Sequence, residues 1–171
     1  MREIKSEYPP NIKAIAAKFP GARGHGVIFA YAPFIYAPHH RPSSIPPELL
    51  AHEEVHLVRQ EMMGVEKWWN VYISSGQFRY VEELLAHRAE YQFLSGLSRQ
   101  VRRSALKQVA QKLAAPLYGR MVSVDMAARQ LQEEHVEGCF ACHGLGVALT
   151  VAGNVCEPCG GLGYLVGEKA A

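Results

Sequence analysis

Apolar positions recur three and four apart along most of the chain, and the exceptions are as informative as the rule. In PPNIKAIAAKF, residues 9–19, Ile12, Ile15, Ala16 and Phe19 share one helical face, with Pro early and Pro20–Gly21 as a stop. GVIFAYAPFIYAP, residues 26–38, breaks that period. It is β-branched and aromatic with a proline near its middle, which predicts two short strands or a hairpin with an edge strand. It is the one convincing β-segment, and the residues before it read as a tail and a helix. After HHRPSSIPP a helix is expected from near Pro47, where a missing N–H costs nothing, to Gly64. VEKWWNVYISSG has no decisive period. FRYVEELLAHRAEYQFL, residues 78–94, reads as a long helix. Ser98 is the expected cap of another to about Ala115, and Ser123 of a last one to near His135. Glycine, cysteine and small apolar residues then take over, so a boundary is expected near residue 136. The expected fold class is α+β: a mostly helical domain over 1–135 with a small sheet or hairpin, and a tail over 136–171.

Composition narrows the classes. A chain of 171 residues, 49% hydrophobic, can bury one good core and a small stapled appendage. The net charge of +2 favours neither a nucleic-acid binder nor a surface that seeks acids. No run of about 18 apolar residues could cross a bilayer, and MREIKSEYPP lacks the apolar core of a signal peptide, so a cytoplasmic, membrane-free protein is expected. Between Glu90 and Asp125 lie Arg99, Arg102, Arg103, Lys107, Lys112 and Arg120 with no acid. A solvated helix face is the plainer account of that stretch, and contact of helix 99–120 with nucleic acid or an acidic partner is the other. Fifteen of the sixteen acidic residues are Glu, so carboxylate chemistry falls to glutamate.

Candidate chemistry begins at AHEEVHLVRQ, residues 51–60. On a helix, His52 and His56 stand one turn apart and can turn both rings to one metal ion. Glu53 sits on the adjacent flank and can take a proton from water there without ligating the metal. Two histidines on a solvated or capping helix are the alternative. A tetrahedral catalytic zinc needs a third protein ligand and an open position. Glu82, Glu83, His87 and Glu90 are the downstream candidates. Glu83 flanks the stripe Tyr80, Leu84, His87 and Tyr91, whereas Glu82 shares its side with Phe78, Arg79, Leu85 and Ala86 and could simply pair with Arg79. Periodicity leans to Glu83 without settling it.

All four cysteines lie in GCFACHGLG and VCEPCGGLG, two C-x-x-C-x-G-x-G units. Together Cys139, Cys142, Cys156 and Cys159 make a closed set of four thiolates suited to a structural zinc in a ribbon-like tail. Cys139 to His143 also reads C-x-x-C-H, the pattern of covalent haem attachment. That chemistry needs export and would leave the second pair without purpose, so no haem is expected.

HEEVH followed by Glu83-Leu84-Leu85-Ala86-His87 resembles the gluzincin arrangement H-E-x-x-H then E-x-x-A-D. The resemblance implies His52, His56 and Glu83 as ligands of a catalytic zinc and Glu53 as general base. His87 departs from it, standing where many such enzymes carry an aspartate that orients a ligand. Over roughly residues 9–130 the order of segments resembles a family of small bacteriophage-encoded metallopeptidases, which implies work in a host cytoplasm. Zincins pair extended substrate with an edge strand beside the active helix, and GVIFAY is the segment that could serve, unless it is simply a core strand. For the oxyanion, Tyr72, Arg79, Tyr80 and His87 are all candidates. The cysteine units resemble repeats of DnaJ-type chaperones, but two repeats imply one zinc, and no His-Pro-Asp signature accompanies them. The leading expectation is a zinc-dependent peptidase acting on peptide or protein. The alternative is a non-catalytic, zinc-stabilised protein that docks a protein or nucleic-acid partner.

Overall fold

The computed structural model describes residues 2–116 and 122–132. Two compact units share them. Met1–Ser74 with Ala86–Gly96 makes the first, and Ser75–Leu85 with the chain from Leu97 onward makes the second. Among the described residues the protein is mostly helical with one small sheet, the α+β class that the patterning predicts.

In the first unit, strands β2 (Phe29–Tyr31) and β3 (Phe34–Tyr36) form the expected hairpin, with Tyr31 opposite Phe34 across Ala32 and Pro33. The opening tail is not merely a tail. Ile4–Lys5 forms β1, parallel to β3, and gives the sheet order β1-β3-β2. Two residues carry no period of their own; they are held by Ile35 N–H donating to Glu3 O and Ala37 N–H donating to Lys5 O. Arg2 then forks over Glu54 and Glu61 and fastens this end to a helix.

That helix is α2, Pro47–Met63, with Pro at its start and Gly64 at its end. Gly64 has φ +91°, a backbone conformation that side chains with a Cβ rarely adopt, which is why the helix stops there. The segment of undecided class is helix α3, Val65–Ser74. Its aromatic residues suit a strand as well as a helix, and the choice is made by packing, with Trp68 and Tyr72 stacked one turn apart at 4.7 Å. Helix α1, Ile12–Lys18, packs on α3.

Helix α2 is amphipathic in reverse. Its buried residues are His52, Glu53, His56, Leu57, Arg59 and Gln60, while Val58 and Met62 are exposed. Of those buried residues only Leu57 joins an apolar cluster, with Ala30 and Ile35 of the sheet. Burying polar groups is costly unless each is bonded or used, so this face has a purpose other than core formation. Gln60 shows one such use. Its carboxamide donates to Ala30 O at 3.0 Å and accepts from Ala32 N–H at 2.9 Å. It thus takes two backbone groups at the β2 edge that an incoming extended peptide would use, and the outer edge of GVIFAY is closed there. Gln60→Leu keeps the volume but strands both groups in a buried site, at about 1–3 kcal/mol each. The expected result is a stability loss of about 2–4 kcal/mol in urea titration; a loss under about 0.5 kcal/mol contradicts this role.

Helix α4, Gly76–Phe93, runs from the second unit into the first. In the second unit, Tyr80 and Leu84 of α4 pack with Val109, Ala110 and Leu113 of α5 (Arg99–Leu113) and Ala127 and Leu131 of α6 (Val124–Gln132). The two serine caps are as expected: Ser98 accepts from Val101 N–H, and Ser123 from Met126 N–H at 3.1 Å. Arg99, Arg103, Lys107 and Lys112 of α5 are exposed.

Candidate metal centre

The centre begins on α2. One helical turn brings the rings of His52 and His56 to 5.0 Å at a near-perpendicular angle, and both residues are buried. Glu53, the candidate base, is buried beside them on the same helix. Aromatic side chains of α3 wall His56 in: Trp68 lies 5.4 Å and Tyr72 6.4 Å from its ring, centroid to centroid. A histidine so enclosed has little water about it, which strengthens any electrostatic interaction it makes.

Helix α4 supplies the rest. His87 sets its ring 4.5 Å from that of His52. On the next turn, Glu90 Oε2 lies 2.6 Å from His87 Nδ1 and 3.4 Å from His52 Nδ1. The first is a short hydrogen bond and the second a looser charge contact. Burial alone would raise the Glu90 pKa, but the interactions with His52 and His87 outweigh it and hold the carboxyl well below the usual range.

Glu83 stands one turn before His87 on the same helix. With His52 and His56 it would complete a set of three protein ligands suited to zinc. The donor chemistry fits as well, being two imidazoles and one carboxylate, all buried. His52, His87 and Glu90 form a group whose potential ligand atoms all lie within 4.8 Å of one another.

Other expectations fare differently. Glu82, read as a possible partner of Arg79, is completely buried, and Arg79 is nearly so. The whole of this stretch of α4 is therefore interior, which periodicity alone did not indicate. Tyr80 gives its hydroxyl to Gln130 of α6 and belongs to the core of the second unit. Tyr72 remains against His56, and His87 is engaged by Glu90. Cys139, Cys142, Cys156 and Cys159 lie outside the described residues. Sequence reasoning missed the work of Gln60 and weighed Glu90 only as a possible ligand. The signal available for Gln60 was its position on the His52–His56 face, four residues beyond His56. No helix among the described residues is long and apolar enough to cross a membrane.

No family model, curated protein or solved structure matches the chain.

Proposed function

We propose that this protein is a zinc-dependent peptidase whose metal is held by His52, His56 and Glu83. The observation that carries this reading is the pair of buried histidines one turn apart on α2, rings 5.0 Å from each other, with Glu53 buried on the same helix; Glu83 enters as the third ligand through the resemblance and its buried carboxylate. Zinc, when bound there, supplies Lewis-acid polarisation and brings the pKa of water towards about 7. Glu53 takes a proton from water and returns it to the leaving amine. Trp68 and Tyr72 wall the His56 side, and Tyr72, against the His56 ring, is an oxyanion-donor candidate in this reading, whereas the Tyr80 hydroxyl is bonded to Gln130. The closed edge at Ala30 and Ala32 argues that substrate lies elsewhere than along that part of β2. A separate structural zinc on the four cysteines completes the proposal.

The test is metal analysis combined with a broad peptide-cleavage screen. Zinc-loaded protein should cut members of the pool, lose activity to a chelator and regain it with zinc. A protein that carries zinc on His52 and His56 and cuts nothing belongs instead to the class of zinc-stabilised binding proteins.

A further inference from the structure

His52 of α2 meets His87 and Glu90 of α4, and the distances among them separate their roles. Two atoms bound to one tetrahedral ion at about 2.1 Å stand roughly 3.4 Å apart. Glu90 Oε2 and His87 Nδ1 are 2.6 Å apart, too close for two ligands of one ion and normal for a charge-assisted hydrogen bond. The same carboxylate oxygen lies 3.4 Å from Nδ1 of His52, a buried nitrogen that makes no hydrogen bond in this structure and has Glu90 as its charge contact. An imidazole whose Nδ1–H is turned to a carboxylate offers Nε2 as its basic lone pair. We propose that Glu90 is the positioning residue of the metal centre: it fixes the tautomer and orientation of His52 so that Nε2 serves the metal, and it holds His87 as a hydrogen-bonded neighbour and not as a ligand.

This rests on the metal reading above and deepens it. It also accounts for His87. Here Glu90 stands three residues beyond His87 on α4 and bonds it, while the His87 ring lies 4.5 Å from that of His52. Glu90 is only about one-seventh exposed at its side chain (14%), so its charge acts on both rings with little screening by water.

The experiment compares full-length wild type, Glu90→Gln, Glu90→Asp and His56→Gln. Zinc affinity is read by competition with a chromophoric chelator, and the visible bands of the cobalt-substituted protein report the ligand field; thiolate charge-transfer bands mark any cobalt on the cysteines separately. Glu90→Gln keeps the shape and removes the charge. It should weaken zinc at the histidine site by about 10–100-fold and shift the visible cobalt bands, with metal-free melting unchanged. Glu90→Asp, which keeps the charge, should recover part of the affinity. Affinity within twofold of wild type in Glu90→Gln overturns the proposal, as does equal loss in Gln and Asp accompanied by depressed melting of both metal-free proteins. If His56→Gln binds as much metal as wild type, the metal reading itself has failed and the role of Glu90 goes with it.

Discussion

Glu53→Gln is expected to reduce peptide hydrolysis by about 10²–10⁴-fold while zinc content and melting stay near wild type. Glutamine fills the same volume and can still accept a hydrogen bond, so the buried position tolerates it; it cannot take a proton from water at neutral pH. The position matters to the size of the effect. Glu53 is 6% exposed and lies between the two histidines on α2, so bulk water is poorly placed to stand in as base. The measurement is kcat/KM on any peptide cut by the wild type, with zinc counted in the same preparation. Hydrolysis at the wild-type rate would falsify the assignment of Glu53. A complex with some partner that survives this substitution, in a protein that never cleaves, is the result that favours a binding role.

How much of this was legible beforehand depends on whether a feature is local. The hairpin, the Pro47 start and Gly64 stop of α2, and the serine caps at 98 and 123 are written in adjacent residues, and each is where the sequence predicts it. Strand β1 is not local, because Ile4–Lys5 is extended only through its pairing with β3. Helix α3 was ambiguous because Trp and Tyr suit either class, and the decision is made by the wall they form beside His56. Helix α2 is the clearest case of a pattern that misleads. Its apolar Val58 and Met62 face solvent and its histidines and Gln60 face inward, so a hydrophobic stripe points the wrong way. The H-E-x-x-H spacing stands out there all the same, because a metal-ligand pattern is a matter of spacing and not of hydrophobicity. Periodicity only leans to Glu83, and the spaced pattern of the resemblance is what singles it out; the structure shows it buried. The contacts of Glu90 are not legible in this way, since they depend on His87 of α4 meeting His52 of α2 across 35 residues of chain.

The second large effect concerns metal and stability together. A ligand that binds only the folded state stabilises it by RT ln(1 + [L]/Kd), about 4 kcal/mol at a thousandfold excess over Kd. Zinc on His52, His56 and Glu83 requires α2 and α4 to be folded, since its ligands come from both helices. Wild type stripped of metal should therefore rise in melting temperature as zinc is added. His56→Gln should lose that response and one equivalent of zinc, whereas Cys139→Ser with Cys142→Ser should lose a different equivalent and keep the response of the histidine site. Glutamine at 56 also preserves most of the contact with Trp68 and Tyr72, so the metal-free variant should melt close to the metal-free wild type. The comparison is thus between slopes of melting temperature against zinc, not between absolute stabilities. If the His56→Gln slope equals that of wild type, the buried histidines hold no zinc. The polar face of α2 would then be explained by hydrogen bonding alone, of the kind Gln60 already makes to β2.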